Sequence, residues 1–283
     1  MSPSFDTSPN VLFETRVRAV RRPSPGFVRL TLTGPRLDVF APYGLDQRIK
    51  ILIPDGGYPA VFDEDLLPEA RWRSRWRELP AAERPTMRSY TPSAVRPGPR
   101  EVDLDFFVHT RPGPASAWAL SAREGERVLV SGPDARRGRP THGIQWEPGP
   151  ATRVLIAGDE TAFPAIRNIV STLGPSVRAE IFLEVEDGAD AGAVGSPLDG
   201  RTVTVRRLPG GDPAGPLFGE IDAWARSYGA GAAALGTGFY AWLATESTRV
   251  ARLRDRLRDA GIAPDRLHAQ GYWHDRIRTS RVS

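Results

Sequence analysis

The feature that most restricts how this chain can fold is a change of rhythm near its middle. Residues 11–132 hold short runs in which apolar and polar side chains alternate, separated by turn residues. They are VLFETRVRAV (11–20), FVRLTLT (27–33), RIKILIP (48–54), EVDLDFFVH (101–109) and RVLVSG (127–132). A period of two marks half-buried strands, and several at this spacing predict a small antiparallel barrel. In RIKILIP the pattern places Ile49, Ile51 and Ile53 on one face and Arg48, Lys50 and Leu52 on the other. An insertion rich in Pro, Trp and Arg (59–85) interrupts the strands, and EARWRSRWREL (69–79) within it predicts a short helix. Beyond residue 150 strands and helices alternate. RVLIAG (153–158), RAEIFLEV (178–185), RTVTVRRL (201–208) and GAAALG (231–236) read as strands. PAIRNIVSTL (164–173), LFGEIDAWARS (217–227) and YAWLATESTRVARLRDRLRDAG (240–261) read as helices, with Thr161 as a cap and Pro164 in the first turn of the earliest. That order predicts a parallel-sheet α/β domain. Two domains, 11–135 and 150–283, are expected, joined by the Pro- and Gly-rich PDARRGRPTHGIQWEPGP (133–150).

Composition narrows the chemistry. The 283 residues carry no cysteine, so disulfides, thiolate-held clusters and a thiol nucleophile are excluded. The four histidines, His109, His142, His268 and His274, are scattered without an HxxxH pair, and no protein metal site is predicted. The net charge of +4 and pI of 9.8 come almost wholly from arginine, Lys50 being the one lysine. Arginine forks suit phosphate and carboxylate, but these are spread along the chain, so no nucleic-acid partner is expected. The first residues, MSPSFDTSPN, lack the pattern of a signal peptide, and no apolar run reaches the ~20 residues of a membrane span. A cytoplasmic monomer is the expectation.

Three motifs carry chemistry. In MRSYTPS (87–93), an extended backbone would point Arg88 and Tyr90 to one face and Ser89 and Thr91 to the other. Such a row suits a flat ligand with a phosphate tail: a guanidinium for phosphate, a ring face, a hydroxyl for a heteroatom. Alone, it reads first as an edge strand with a solvated arginine. In HTRPGPASAWALSAREG (109–125) a Gly-Pro turn leads into a helix. Gly113, Ala115 and Ser116 would let backbone amides approach an anion at the positive end of the helix dipole. An ordinary helix with Trp118 in the core reads equally well there. AGDETAFP (157–164) occupies the first strand-to-helix turn of the second domain, where GxGxxG would mark a dinucleotide site. Asp159 and Glu160 oppose a diphosphate at this position, or simply cap the helix. Arg206 and Arg207, at a strand end, could meet an adenosine phosphate or be solvated.

Together RSYT, HTRPGPASAWA and GDETAFPAI (158–166), with DQRIK (46–50) before them and GYW (271–273) after, resemble the siderophore-interacting proteins. These are FAD-containing ferric-siderophore reductases of the ferredoxin-reductase-like superfamily, and the likeness runs from about residue 11 to 276. It implies an FAD-binding β-barrel domain of the six-stranded type followed by an NAD(P)H-binding-like α/β domain. Arg88, Ser89, Tyr90 and Thr91 would be flavin contacts, with Arg88 on a phosphate, Tyr90 on the isoalloxazine and Thr91 near its reactive edge. His109 and Thr110 would follow at the next strand end, and Gly113, Pro114, Ala115 and Ser116 would cradle the diphosphate. Asp159, Glu160 and Thr161 match the D-E-T segment, of which Asp159 and Thr161, with the following Ala162, would be cofactor contacts, and Tyr272 and Trp273 would sit close to the flavin. Lys50 and Arg276 would attract the anionic ferric siderophore. The chain departs from the family pattern at Ser93, where a second arginine is usual, with Arg96 out of register, and at Thr110, where glycine is usual. The implied activity is transfer of electrons from NADH, NADPH or ferredoxin through FAD to Fe(III), with no side chain in a catalytic acid–base role. A flavin reductase or biosynthetic redox partner, and a flavin-free siderophore-binding protein, are the alternatives.

Overall fold

The computed structural model of the protein describes residues 8–54, 56–108, 112–139, 142–207 and 215–274 and divides between Ile144 and Gln145 into two units. His109, Thr110 and Arg276 lie outside the described residues.

The alternating runs of the first half form one antiparallel sheet. Its strands are β1 (Asn10–Ser24), β2 (Phe27–Thr33), β3 (Ile49–Ile53), β4 (Leu67–Pro68), β5 (Thr86–Tyr90), β6 (Ala94–Arg96), β7 (Glu101–Phe107) and β8 (Arg127–Pro133). The order is β5-β3-β8-β1-β2-β7-β6, with β4 paired to β1, so the sheet has eight strands where six were expected. The surplus is the two-residue β4 and the three-residue β6, too short to show a periodicity. Among the described residues no ladder joins β5 to β6, and the sheet is a curled half-barrel.

Both faces of the sheet are covered. Ile49, Ile51 and Ile53 pack inward with Phe13, Leu30, Leu104 and Phe106, as the alternation of RIKILIP requires. On the outer face, Leu12, Leu52 and Leu129 meet Phe62, Leu67 and Trp72, the last from helix α1 (Glu69–Glu78). Helix α1 holds because Glu69, Trp72 and Trp76 recur at helical spacing and Glu69 pairs with Arg73 one turn on, at 2.6 Å. The insertion is therefore a cap on the barrel's outside. A second helix, α2 (Pro114–Ser121), packs against β7 and β5.

The second unit is a parallel sheet of β9 (Arg153–Asp159), β10 (Arg178–Val185), β11 (Asp199–Arg206), β12 (Phe239–Glu246) and β13 (Leu267–Trp273), in the order β11-β10-β9-β12-β13. Its helices are α3 (Phe163–Val170), α4 (Pro216–Ala234) and α5 (Ser247–Asp259). Two expectations fail here. GAAALG (231–236) is no strand: α4 runs on to Ala234, since alanine is the strongest helix former. YAWLATE is no helix: every one of its residues is buried, so within the interior strand β12 it shows no alternation to read. None of the described helices is long and apolar enough to cross a membrane.

Candidate functional site

The ladder with β3 fixes the faces of β5. Arg88 lies opposite Ile51 and Tyr90 opposite Ile49, so both share the inner face with those isoleucines. The Tyr90 ring sits 4.5 Å from that of Phe106, tilted by 45°, and burial pushes its phenol above the ordinary range, with Arg88 pulling the other way. Thr91 is buried just past the strand end. The Arg88 guanidinium donates to the Met87 carbonyl at 2.9 Å and pairs with no carboxylate among the described residues. Arg29 and Arg96 differ: the first is held by Asp105 and the second by Asp103 and Glu101. Arg96 therefore offers no substitute for the cation missing at Ser93.

Helix α2 packs against β5. Gly113 is its N-cap, Pro114 opens the first turn, and no side chain caps the amides. A Cβ added at Gly113 would meet nothing within 4 Å, so the approach is open. Ser116 Oγ donates to the Phe107 carbonyl at 2.9 Å and ties the helix to the end of β7. An unpaired guanidinium, an aromatic face and a bare helix N-terminus on adjoining elements suit the diphosphate and ring of FAD, so the residues fit that cofactor.

Lys50 stands elsewhere. It pairs with Ser89 and Ser131 across the ladders, on the face opposite Arg88 and Tyr90, and its amine donates to Ser89 Oγ. Burial pushes it down to about 8, helped by Arg48 and Arg73 and opposed by Glu69.

In the second unit, the residues of the D-E-T and G-Y-W segments meet at the carboxyl edge of the sheet. Asp159, 1% exposed, accepts from Thr161 N at 3.0 Å and Thr161 Oγ1 at 2.5 Å through one oxygen. Its other oxygen accepts from Thr245 Oγ1 at 2.6 Å and Trp273 Nε1 at 2.8 Å. Thr161 is thus a donor to Asp159 and not the cap of α3. Ala162 is fully buried, and Tyr272 packs edge-on to Trp242. Glu160 accepts from Arg207 Nη2 at 2.6 Å and Glu186 N at 2.5 Å, and burial still pushes it up to about 7, with Arg207 opposing and Asp159 assisting. Arg207 is also held by Glu184 and Glu186, and Arg206 donates to the Glu186 carbonyl. Arg207 is therefore neutralised by the chain's own carboxylates, contrary to a role as an open phosphate receptor.

Sequence reasoning missed Phe106, Glu184, Thr245 and Glu246. The signal for Glu246 was present, an acidic residue before Ser247-Thr248, but it was submerged in a helix drawn too early. Phe106 and Glu184 sit in strands whose partners only the fold supplies.

Residues 16–137 match the family model of the siderophore-interacting FAD-binding domain, and residues 151–276 that of the siderophore-interacting protein. An NADPH-dependent ferric-chelate reductase of Escherichia coli is 30% identical over 273 residues, 92% of each chain. An uncharacterized protein of Mycobacterium tuberculosis is 33% identical over 171 residues, and the match spans 60% of this chain but only 56% of that relative. The solved siderophore-interacting protein SipS of Aeromonas hydrophila superposes with a TM-score of 0.70 at 26% identity, over 94% of this chain and 99% of that one. The fold is that of an FAD-domain and α/β-domain flavoprotein. The chain belongs to the siderophore-interacting protein family, and its first unit is that family's FAD-binding domain.

Proposed function

We propose that the protein is an FAD-dependent reductase of ferric siderophores, drawing electrons from NADH, NADPH or a ferredoxin. The observation that carries this is Arg88, without a carboxylate partner among the described residues, on a strand packed against α2, a helix whose N-terminus has no side-chain cap. Arg88 and the amides of the first turn of α2 hold the diphosphate. Tyr90 covers the ring, with Thr91 at its edge. Bound FAD supplies the step between a two-electron donor and one-electron acceptors. The E. coli relative, NADPH-dependent by name, supports a nicotinamide donor.

The substrate is an oxygen-ligated Fe(III) chelate. Reduction gives a softer ion of lower charge, which hard oxygen ligands hold less well, so the iron is released. Cationic side chains raise the local concentration of an anionic chelate, and Lys50 and, beyond the described residues, Arg276 are each assigned that part separately. No side chain is required to move a proton in the iron step.

The test is spectroscopic. Purified protein loaded with FAD is treated anaerobically with NADH and then NADPH, and a ferric siderophore is added with a ferrous-specific chromogenic chelator. Bleaching of the flavin band, its return on adding chelate and one chelator signal per electron are the expected results. A reduced flavin band that stays bleached in the presence of the ferric chelate overturns the reading.

A further inference from the structure

Open parallel sheets bind ligands outside the carboxyl ends of their strands, at the point where the strand order reverses. In the second unit that point lies between β9 and β12, because the chain runs outward through β10 and β11 before crossing to β12 and β13. A dinucleotide bound there needs a close backbone approach and open amides at a helix N-terminus.

The chain's own atoms fill those places. Gly158 follows the expected position of a tight turn, but a Cβ there would meet the Ala244 carbonyl at 2.7 Å and the Ala162 methyl at 2.8 Å, so the glycine admits the protein itself. The bond from Thr245 to Asp159 crosses the switch point from one strand end to the other. Amides at the starts of α4 and α5 are taken as well, while α3 itself has no side-chain cap. Glu246 accepts from Thr248 N at 2.7 Å and Arg249 N at 3.0 Å at the start of α5, and Glu184 accepts from Leu217 N at 3.3 Å at the start of α4. Asp159 does the same for the short turn leading into α3.

The same carboxylate that closes the crevice holds the last described strand. Trp273 Nε1 donates to Asp159, and Ser247 Oγ donates to the Trp273 carbonyl at 3.0 Å. Gly271 is the residue that allows this, since a Cβ there would run into Ser247. The acidic segment after β9 and the aromatic segment ending β13 are two halves of one hydrogen-bonded clamp.

We propose that Asp159 is a positioning residue that has turned the dinucleotide crevice into a clamp for Trp273, and that the reductant's diphosphate is not held at this switch point. The second clause rests on the reductase reading above; the first stands without it. Asp159 acts through Trp273 and touches no reacting atom.

The experiment uses the FAD-loaded full chain labelled with 15N. The Trp273 indole N–H signal is assigned by its loss in Trp273→Phe, and NADP+ is the probe. In the wild type this signal is expected to exchange slowly with solvent and to stay unmoved by millimolar NADP+. Asp159→Ala should shift it and speed its exchange at least tenfold. Asp159→Asn keeps an acceptor and should restore most of the protection, which a loss of fold would not. Thr245→Val removes one donor without touching the indole bond and should leave the Trp273 signal protected. In ferric-chelate turnover, Asp159→Ala and Trp273→Ala should each lower the rate by a similar factor, and the double variant should be no slower than either. An indole signal indifferent to Asp159→Ala, or one shifted by NADP+ in the wild type, overturns the proposal. An FAD-loaded wild type that fails to reduce the chelate while the indole behaves as stated sinks the reductase reading and leaves the clamp standing.

Discussion

Helix α2 in the first unit begins at Gly113 with no side chain across its amides, whereas α4 and α5 in the second begin under Glu184 and Glu246. A helix N-terminus carries roughly half a positive charge and several unpartnered N–H groups. Left bare on a helix that packs against the Arg88 strand, it suits an anion. Closed by a carboxylate, it becomes a fixed corner of the fold. The comparison shows that two helices of the second unit start closed by carboxylates where α2 starts without a side-chain cap.

The sharpest way to break the contrast is to make α2 resemble the others. Gly113 has φ −76° and open space where a Cβ would go, so Gly113→Asp fits the backbone and should cap the helix. FAD affinity, measured by equilibrium dialysis, is expected to fall by roughly 100-fold, because two charge-assisted hydrogen bonds are replaced by a repulsion. Thermal stability of the apoprotein should rise or hold. Tight FAD retention in this variant would remove α2 from the site. Arg88→Ala comes next, with a loss on the order of 10–30-fold in FAD affinity and little change in the apoprotein melt.

The acidic edge is sharpened by pH. Glu160 in the folded protein is pushed up to about 7, well above the ordinary carboxylate value of 4.5. The folded state therefore holds that proton more tightly than the unfolded one. The resulting stability is fully present below about pH 4.5 and is lost as pH rises through 7. The melting temperature of the second unit should decline by a few degrees between pH 5 and 8, and Glu160→Gln should flatten the decline. An identical slope in both proteins would show that the Glu160–Arg207 pair stays charged throughout. The smallest effect is expected from Glu246→Ala, which removes one cap from α5 and should cost about 1 kcal/mol in chemical denaturation.

Much of this was legible in the sequence, and the gaps have physical causes. The alternation in β1, β2, β3 and β7 showed their faces because one side of each is apolar and the other less so. Arg88, Tyr90 and Gly113 stood out only through the set of motifs that resembles the family, since each stretch alone reads as an ordinary strand or helix. β12 was hidden because a strand buried on both faces has no period, and the Ala-rich end of α4 borrowed the look of a short strand. The clamp of Asp159, Thr245 and Trp273 spans 114 residues along the chain, and no local pattern reports a bond of that reach. Glu160 was visible as an acid; that Arg207 would come to lie on it depends on the parallel pairing of β10 with β9 and β11.

The segment entering the second unit has a practical bearing on how the chain can be cut. Trp146 packs edge-on against Tyr240 at 5.4 Å, the Tyr240 hydroxyl donates to the Gln145 carbonyl, and Arg266 donates to the Pro148 carbonyl at 2.6 Å. Severing the peptide at residue 150 would take an indole and two carbonyls away from Tyr240 and Arg266, leaving Arg266 its bonds to the Phe239 and Thr237 carbonyls. A fragment meant to fold alone should begin ahead of Gln145, and a protease nick between residues 145 and 149 should loosen the amino ends of β12 and β13 before any other part of that half.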